Sequence, residues 1–565
     1  MNAGTFVEAR LEQGGSALAA PDYDVVIIGY GPVGAVLANL LGAAGRAVLV
    51  LDQASDIYDK PRAINIDHEV MRVLQRVGLA DAVDAVTIPY KGTDFLGIDG
   101  RPIKVFEPSA PPYILHWAPN LLFIQPEFER ILRDGVARFA SVETRLAHRA
   151  LKIWNGSGAA CVRFADRRGE EQEATARYII ACDGASSNVR KQLAISQESL
   201  DFDEWWTVVD AWLTRETPLP RRTTQFCWPS GPTTYVVGPR NLRRWELKLM
   251  PGESPEDYQD LDVVRRRLAL FVDTDAIEIW RAATYRFHAL VADDWRRERI
   301  FLAGDAAHQT PPFLAQGLCS GIRDVANLSW KLIAVLSGRL PESVLATYEA
   351  ERKPHIRELV AVTKVLGEVI GELNNEAAQQ RDREFGEALH AGKTVTVRQQ
   401  LIPNLTAGLL ARDRDGFPAA VTGVLFPQPR IRLAGGRSLL LDDLVGDRFL
   451  LVLRGRAASD WIGDAASEML GRLGAIALTL VAGVPDQEHE FADEVGVLDQ
   501  WMRAMNCAAA LVRPDKYVFG VAHNRESLAE ISSQLVTQIF ARADCSRADR
   551  MPSRDNAVEN RRGVS

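Results

Sequence analysis

The sequence predicts an α/β protein in which a Rossmann-like, nucleotide-binding sheet is interleaved with an antiparallel sheet and followed by a separate C-terminal module. Three observations support this fold class. An apolar β-branched run at 24–28 ends at a glycine cluster, similar runs recur at 177–182 and 299–303, and segments of alternating polarity lie between them at 200–290. Because continuous apolar runs form buried parallel strands and alternation is typical of antiparallel strands, the chain is expected to leave one sheet and re-enter it.

The first element is a strand–turn–helix–strand unit. The run at 24–28 is followed by a helical pattern over 33–44 and by a second buried strand at 46–51. Gly29 permits a tight reversal, Gly31 lets a pyrophosphate approach the main chain, and Gly34 lets the helix pack on the strand. The residues predicted to bind a dinucleotide here are Gly29, Gly31, Pro32, Val33 and Gly34, with Asp52 and Gln53 at the end of the second strand for a ribose. The alternatives are a glycine-rich surface turn and, for Asp52, a solvated strand end.

The rest of the chain is divided by changes in pattern. Mostly helical segments follow residue 316, and apolar runs alternate with helices again from 437 to 540. In chain order, the expected segments are a disordered lead-in (1–20), a discontinuous nucleotide-binding domain (21–90, 120–200 and 291–376), a substrate-binding sheet domain (91–119 and 201–290), a connecting segment (377–436), a C-terminal domain (437–545) and a disordered tail (546–565).

Composition restricts the classes of function. The formal net charge of −8 argues against nucleic-acid binding, because such proteins need a basic surface. The 6 cysteines contain no CxxC pair, which indicates a reduced cytoplasmic protein without a disulfide framework or a zinc site. The first residues lack the apolar core of a signal peptide, and no apolar stretch approaches the roughly 18 residues of a membrane span.

Further motifs identify the nucleotide. Residues 181–190 read ACDGASSNVR, 303–308 read AGDAAH and 311–324 read PPFLAQGLCSGIRD. In this order, and together with PRA at 61–63 and FIQP at 123–126, they resemble the class A flavoprotein monooxygenases of the p-hydroxybenzoate hydroxylase and phenol hydroxylase type. Within that family, the segments most similar to the 3-(3-hydroxyphenyl)propionate hydroxylases are 61–64, 66–67, 123–126, 208–210, 250–253 and 304–308.

The resemblance implies non-covalently bound FAD and a transient hydride donor, NADH or NADPH, between which the sequence does not decide. It assigns Asp305 to the ribityl chain, Arg62 to the FAD phosphates and Gln125 to a further FAD contact. The Asp-Gly motif, associated with both nucleotides, matches Asp183, Gly184 and Arg190. The other FAD contacts that the resemblance implies are Gly304, Pro312, Gln316, Gly317, Leu318 and Cys319. Leu314 and Ala315 depart from the glycine that many relatives have here.

The resemblance also implies hydroxylation of a phenol ortho to its hydroxyl group with NAD(P)H and O2, and 3-(3-hydroxyphenyl)propionate is the first substrate to consider. An electron-rich ring is best presented as a phenolate, so a nearby group should accept the phenolic proton. The unranked candidates are Asp67, His68, Asp210, Tyr235, Tyr285 and His288. Candidates for lining the substrate pocket are Trp205, Trp206, Pro311 and Phe313.

Two alternative functions stay open at this point. One is a hydroxylase of a larger polyketide or biphenylol substrate on the same fold, and the other is a flavin redox sensor without turnover. The C-terminal domain resembles the thioredoxin-like domain of phenol hydroxylase relatives. It lacks a CxxC pair, which leaves packing or contact within a homodimer as its expected role.

Overall fold

The computed structural model describes residues 20–393 and 395–540. The predicted lead-in, apart from Ala20, and the predicted tail lie outside these described residues. No helix within the described ranges is long and apolar enough to cross a membrane.

The chain divides into two compact units. Among the described residues, the first contains those from Ala20 to Ser329 together with those from His355 to Pro403. The second contains Trp330–Pro354 and the described residues from Asn404 to Phe540. The domain boundaries expected from the sequence stay predictions.

Within the described residues, the strands form four sheets. In chain order they are β1 (Tyr23–Ile28), β2 (Val48–Asp52), β3 (Asn65–Asp67), β4 (Ile88–Pro89), β5 (Thr93–Leu96), β6 (Pro102–Glu107), β7 (Asn120–Leu122), β8 (Val142–Leu146), β9 (Arg149–Asn155), β10 (Ala160–Ala165), β11 (Glu171–Ala181), β12 (Gln197–Leu213), β13 (Thr223–Phe226), β14 (Thr233–Val237), β15 (Leu242–Lys248), β16 (Ile277–Ala292), β17 (Arg296–Arg297), β18 (Ile300–Leu302), β19 (His308–Gln309), β20 (Val395–Val397), β21 (Arg430–Leu433), β22 (Ser438–Leu440), β23 (Leu450–Arg454), β24 (Ile476–Leu480), β25 (Glu490–Asp493), β26 (Ala509–Val512) and β27 (Val518–Ala522).

The helices connect and cover these sheets. In chain order they are α1 (Pro32–Ala43), α2 (His68–Arg76), α3 (Ala80–Asp84), α4 (Gln125–Val136), α5 (Asn188–Gln192), α6 (Leu261–Leu268), α7 (Gly317–Leu336), α8 (Thr347–Gly371), α9 (Asn375–His390), α10 (Leu441–Val445), α11 (Asp464–Leu473), α12 (Val497–Ala504) and α13 (Arg525–Phe540).

The first sheet carries the predicted nucleotide-binding unit. Its path is β17-β18-β11-β1-β2-β8, with β9 and β10 attached to β11. The strands from β18 to β8 run parallel, and β1, α1 and β2 form the predicted βαβ unit at its centre. Val25, Val26 and Ile27 are fully buried, which explains why the sequence of β1 is continuously apolar.

The second sheet has nine strands in the order β19-β16-β12-β15-β14-β13-β5-β6-β20. Its long strands β12 and β16 leave the first sheet after β11 and lead back to it before β18, as expected for an interleaved domain. One face packs on a hydrophobic core that includes Val209, Trp245 and Leu247. The opposite face, called the inner face below, carries the alternate residues of β15, namely Arg244, Glu246 and Lys248.

A three-stranded sheet, β3-β7-β4, is formed by strands that follow β2 and precede β8 of the first sheet along the chain. Ile64 and Leu122 from this region pack in one cluster with Val236 and Leu242 of the nine-stranded sheet. Since Val236 pairs with Arg244 across β14 and β15, this cluster adjoins the inner face.

The second unit contains the mixed seven-stranded sheet β22-β21-β25-β24-β23-β26-β27. Its β23, β24 and β25 run parallel, while β26 and β27 are antiparallel, as expected for a thioredoxin-like domain. A fully buried ion network joins Glu351 to Lys331 and Arg513 at distances of 2.7 and 2.6 Å.

Candidate active site

The turn between β1 and α1 contains three glycines with different surroundings. Gly29 has a φ of +101°, and a Cβ there would lie closer than 3.0 Å to the Cys182 carbonyl oxygen. A Cβ at Gly34 would lie equally close to the Gly29 carbonyl oxygen, whereas one at Gly31 would meet no atom within 4 Å. Gly29 and Gly34 are therefore needed for packing. Gly31 leaves the N-terminal end of α1 open to a close approach, as phosphate binding requires.

The end of β2 places a carboxylate beside this turn. The Asp52 oxygens accept hydrogen bonds from the main-chain N–H groups of Tyr30 at 2.5 Å and Ala54 at 2.7 Å. Arg133 of α4 donates to the Tyr30 carbonyl at 2.9 Å and lies over the Tyr30 ring. Asp52 thus orients the glycine turn, and Gln53 beside it is exposed.

The Gly-Asp turn packs directly on the first turn of α1. Gly304 has a φ of +61°, and its N–H donates to the Asp324 carboxylate at 3.1 Å. A Cβ at Gly321 of α7 would lie 2.7 Å from a Val33 methyl carbon and 3.1 Å from the Gly304 Cα. The first glycine turn, the Gly-Asp turn and the start of α7 therefore meet at one place.

Asp305 lies at this meeting point. Its side chain is exposed, yet desolvation by the surrounding protein raises the pKa of the carboxyl above its usual value, with His308 and Arg62 acting in the opposite direction. A side chain that is accessible and also crowded lies in a concave surface. The exposed Arg62 side chain is close enough to act on Asp305, so both project toward the same concave surface.

The Asp-Gly turn is built around a helix cap. Asp183 accepts a hydrogen bond from Ser187 Oγ at 2.6 Å, and Ser187 is the N-cap of α5. Gly184 has a φ of +79° and open space around it. The buried Arg190 guanidinium donates to the Ala306 carbonyl at 2.9 Å, which joins this turn to the Gly-Asp turn. Asp183 and Arg190 therefore hold the two turns in place.

Gln125 begins α4, and its side chain is buried. Its Oε1 accepts hydrogen bonds from the main-chain N–H groups of Arg62 at 2.9 Å and Ala63 at 2.7 Å. The Arg62 guanidinium lies 4.9 Å from the centroid of the Tyr58 ring. Gln125 therefore fixes the main chain from which Arg62 projects, and its direct contact with FAD stays a prediction.

The segment between the Gly-Asp turn and α7 forms a short 3-10 turn at Pro312–Leu314. Ala315 follows in the left-handed conformation, with a φ of +46°, which glycine adopts more readily than alanine. Phe313 is buried, and its ring centroid lies 5.3 Å from that of Trp206 in β12. Four of the predicted contact residues lie in or near this turn. Pro311 is buried, while Pro312, Gly317 and Leu318 are partly exposed.

A buried ion cluster holds the start of α7. Arg323 donates to Gln316 Oε1 at 2.8 Å and pairs with the carboxylates of Asp67 and Glu69. Asp67 is also the N-cap of α2, where it accepts the Val70 N–H at 3.1 Å. Burial alone would raise the pKa of Asp67, but Arg323 holds it below the usual value. Asp67 is thus an ionised partner of a guanidinium, and its role in proton transfer stays a prediction.

His68, Cys319 and Asn65 lie beside this cluster. Burial lowers the pKa of His68 and raises that of the Cys319 thiol. Cys319 Sγ is 3.9 Å from the Asn65 carbonyl oxygen. Both amide atoms of the Asn65 side chain are buried and make no hydrogen bond within the described part of the chain. A buried amide of this kind is suited to a polar group of a bound molecule.

The inner face of the nine-stranded sheet contacts the segment that carries Arg62. Asp210 and Arg244, both buried, form a two-pronged ion pair with distances of 2.8 and 3.1 Å. Arg244 also donates to the Arg62 carbonyl at 2.8 Å, and Arg281 donates to the Pro61 carbonyl. Asp210 therefore anchors the guanidinium that positions a predicted FAD-binding segment.

Two further predicted residues share the inner face. Trp206 is fully buried and pairs across the strands with Tyr285, whose side chain is 37% exposed. The Arg281 guanidinium lies 5.2 Å from the Tyr285 ring centroid. The structure thus brings Asp210, Trp206 and Tyr285 to one side of the sheet.

The remaining predicted residues lie elsewhere. Tyr235 is in the hydrophobic core on the far side of the sheet, with its ring centroid 5.5 Å from that of Trp245. His288 Nδ1 is 3.4 Å from the Asp203 carboxylate, and Trp205 is 39% exposed. Since adjacent strand residues point to opposite faces, Trp205 and Trp206 do not line the same surface. The roles proposed for these residues stay predictions.

Several residues of the site did not stand out in the sequence. Arg244 and Arg281 on the inner face, and Arg323 and Asp324 on α7, make the contacts that position the predicted motifs, and Glu246 lies beside Arg244 on β15. A signal existed in β15, where charged and apolar residues alternate over the last five positions, 244–248 (RWELK). Charged residues at every second position of a buried strand indicate a polar internal face.

The arrangement fits the FAD that the motifs imply. Gly31 leaves the start of α1 open to a pyrophosphate, and the Arg62 guanidinium carries a complementary charge. Asp305 offers an acceptor for hydroxyl groups in the same concave surface. The unpaired Asn65 amide can donate to, and accept from, an imide of the kind found in a flavin ring.

Comparisons with known proteins identify the family of the chain. A family model described as FAD binding domain matches residues 22–363, and one described as HcaD C-terminal domain matches residues 423–538. A probable NADH-specific resorcinol 4-hydroxylase of Rhodococcus jostii (strain RHA1) is 34% identical over 523 residues, covering 91% of this chain and 95% of the relative. A 3-(3-hydroxy-phenyl)propionate/3-hydroxycinnamic acid hydroxylase of Comamonas testosteroni is 32% identical over 566 residues, covering 89% and 95%.

Solved structures show the same fold. The flavin-dependent monooxygenase PieE, in complex with FAD and substrate, has a TM-score of 0.75 and 22% identity, covering 92% of this chain and 99% of that one. Aklavinone-11 hydroxylase, in a ternary complex with FAD and aklavinone, has a TM-score of 0.73 and 22% identity, covering 91% and 99%.

The fold and the site together define a flavin-dependent aromatic monooxygenase. The chain belongs to the family of proteins described by the FAD binding domain model, together with the hydroxylases named above. The fold class, the FAD cofactor and the hydroxylase class expected from the sequence are thereby confirmed.

Proposed function

We propose that this enzyme hydroxylates a single-ring phenol ortho to its hydroxyl group, with NADH as the hydride donor. The observation that carries the proposal is that the inner face meets the flavin-binding segments at two points. Arg244 donates to the Arg62 carbonyl at one point, and Trp206 packs on Phe313 at the other. A ring held between these points would lie against an aromatic surface and beside polar groups. The names of the relatives from Rhodococcus jostii and Comamonas testosteroni support a single-ring phenol, and the first of these names supports NADH.

The FAD-binding residues are assigned proposed roles from their surroundings. Bound FAD, reduced by the pyridine nucleotide, supplies the oxygen-activating chemistry. Gly31 and the start of α1 would hold the pyrophosphate, Arg62 would neutralise it, and Asp305 would accept hydrogen bonds from hydroxyl groups of the cofactor. Gln125 and Arg190 would act as positioning residues, because their side chains hold the main chain of the neighbouring turns.

A second candidate function is hydroxylation of a larger, multi-ring phenol. It is favoured by the two solved structures with TM-scores of 0.75 and 0.73, one of which contains aklavinone. Their identities of 22% are lower than the 34% and 32% of the hydroxylases from Rhodococcus jostii and Comamonas testosteroni. We therefore place the single-ring phenol first.

The test measures NADH and NADPH consumption by the FAD-loaded enzyme with a panel of phenols, together with product masses. Resorcinol and 3-(3-hydroxyphenyl)propionate are the first compounds, followed by multi-ring phenols. Stimulation by a single-ring phenol, with one oxygen atom added to it, supports the proposal. Stimulation by multi-ring phenols alone would favour the second candidate, and flavin reduction without any hydroxylated product would favour a redox sensor.

The cytoplasmic location and the homodimer stay proposals as well. The location is supported by the free thiols of the described cysteines, which are typical of a reducing compartment: Cys161, Cys182, Cys227, Cys319 and Cys507. The homodimer is tested by the molar mass of the FAD-loaded protein in solution, and a mass close to the 62.4 kDa of one chain would contradict it.

A further inference from the structure

The inner face carries a buried carboxylate that none of the positioning contacts uses. Glu246 is the fifth of the seven residues of β15 and is 7% exposed. Its neighbours across the strands are Val208 on β12 and Thr234 on β14. Because paired residues of antiparallel strands share a face, Glu246 projects from the inner face between an apolar and a hydroxyl side chain.

Glu246 lacks the donors that surround the other buried carboxylates of the site. Its nearest cation is Arg244, whose Nη1 is 3.9 Å from Oε1, beyond hydrogen-bond distance. Arg244 directs its donors to Asp210 and to the Arg62 carbonyl instead. The Thr234 hydroxyl donates to a neighbouring glutamine amide at 2.5 Å. Within the described residues, Glu246 therefore accepts no hydrogen bond from a side chain or from the main chain.

The position of Glu246 places it between the two points where the inner face meets the flavin-binding segments. Arg244, two residues earlier on β15, contacts the Arg62 carbonyl. Trp206, the cross-strand partner of Lys248 two residues later, packs on Phe313. Residues two apart on a strand are separated by about 7 Å. Glu246 is thus close to the middle of the surface that a single aromatic ring would cover.

We propose that Glu246 binds the phenolic hydroxyl group of the substrate and accepts its proton, an inference that rests on the function proposed above. The O–H bond of the phenol breaks, the proton moves to a carboxylate oxygen of Glu246, and the electron pair stays on the phenolic oxygen. The added electron density at the ortho carbon favours attack on an electrophilic oxygen. No further reactant is needed for this step, and the proton returns to solvent after turnover.

The charges around Glu246 suit this role. Burial raises the pKa of its carboxyl to about 7, with Arg244 lowering it and Asp210 raising it. A base whose pKa lies near the working pH combines a large ionised fraction with useful basicity. By contrast, Asp210 and Asp67 each form an ion pair with a guanidinium, so neither is an unpaired carboxylate like Glu246.

The cations of the inner face are already engaged. Lys248 Nζ is 2.7 Å from the Glu204 carboxylate and 2.9 Å from the Gly371 carbonyl oxygen. Arg281 donates to the Pro61 carbonyl and lies 3.8 Å from Asp210. Tyr285 is a further titratable group on this face, and its ring lies against Arg281. None of these groups neutralises Glu246, which leaves the carboxylate available to a phenol.

The test compares Glu246→Gln and Glu246→Asp with the wild type, all loaded with FAD. Glu278→Gln is the matched control, because Glu278 is an exposed carboxylate in β16 of the same sheet. The measurements are kcat and kcat/KM across pH with the best phenol of the panel and with fluorinated, more acidic forms of it. Binding of the same phenols to the oxidised enzyme is followed by the change in flavin absorption.

For Glu246→Gln we expect kcat/KM near pH 7 to fall by about 10²-fold or more, as loss of a general base does. The loss should shrink as the pH approaches the phenol's own pKa of about 10, and it should be smaller for the more acidic phenols. The wild type should lose activity and phenol affinity as the pH falls below about 7. This loss of activity and affinity at low pH should be absent in Glu246→Gln and retained in Glu278→Gln.

Two results would overturn the inference. One is a Glu246→Gln enzyme with an unchanged pH profile. The other is a loss that is equal for all phenols at all pH values, which indicates a structural role. If Glu246→Gln does not fold, the pH dependence of phenol binding to the wild type still tests the proposal. A phenol affinity that is constant from pH 5 to 8 contradicts it. A wild type that hydroxylates no phenol would instead refute the proposed function itself.

Discussion

Adding one methyl group at two positions of the same turn should separate cofactor binding from folding. In Gly34→Ala the new Cβ lies closer than 3.0 Å to the Gly29 carbonyl oxygen, a separation that real Cβ atoms essentially never show. The obstacle is main chain, so the helix must move away from β1. Overpacking of this kind costs about 1–3 kcal/mol. In domains of about 150–250 residues each kcal/mol lowers Tm by roughly 2–4 °C, and in a larger unit the shift is smaller.

Gly31→Ala should have the opposite effect. Its Cβ meets no protein atom within 4 Å, and its φ of −70° suits alanine. The free energy of unfolding should therefore change by less than about 1 kcal/mol. The methyl group stands where a pyrophosphate approaches the main chain, so FAD affinity should fall by about 10-fold or more, equivalent to about 1.4 kcal/mol.

The assay uses both variants and the wild type without FAD for melting, and then titrates FAD while following flavin fluorescence. Gly34→Ala should melt at a lower temperature, and Gly31→Ala should melt like the wild type but bind FAD more weakly. If Gly31→Ala binds FAD as tightly as the wild type, the placement of the pyrophosphate at this turn is wrong. If Gly34→Ala melts at an unchanged temperature, the packing argument fails.

The remaining predictions concern three other positions. Ala315→Gly removes a left-handed alanine that costs about 1–2 kcal/mol and adds about 0.5–1 kcal/mol of chain entropy, so Tm should stay equal or rise, and a lower Tm would contradict this. Asp210→Asn leaves the buried Arg244 without its anionic partner, so chemical denaturation should show a loss of about 3–5 kcal/mol, and a loss under 1 kcal/mol would show that the pair is dispensable. Burial alone would raise the pKa of Glu351, but Arg513 and a lysine lower it to about 2, so its stabilising effect is present above pH 4.5 and lost toward pH 2. In Glu351→Gln, Tm measured at a series of pH values should fall less steeply between pH 4.5 and 2 than in the wild type. An equally steep fall would show that Glu351 is not the group responsible.

The sequence was sufficient for the glycine motifs because their requirement is local. Gly29 needs a positive φ and close approach of the next strand, and both follow from a strand–turn–helix pattern within a few residues. The parallel sheet, the interleaved antiparallel sheet and the C-terminal module can also be predicted from the sequence. The spacing of apolar residues indicates whether a strand is buried on one face or on both.

The roles of charged residues could not be predicted in the same way. Asp67 was a candidate base, but its partner Arg323 lies 256 residues away along the chain. Asp210 meets Arg244 through strand register, which no local pattern specifies. The sequence does not single out Glu246, because a single glutamate in a strand has the pattern of a solvated residue unless its face is known to be buried.

These contacts divide the buried carboxylates of the site by their partners. A carboxylate that is paired with a guanidinium, as in Asp67 and Asp210, stays ionised and helps to hold the neighbouring main chain in place. Glu246 has a cation near but no donor in contact, so its proton can be exchanged with a ligand. Substrate chemistry should therefore depend on Glu246, while substitutions at Asp67 and Asp210 should act through stability and FAD placement.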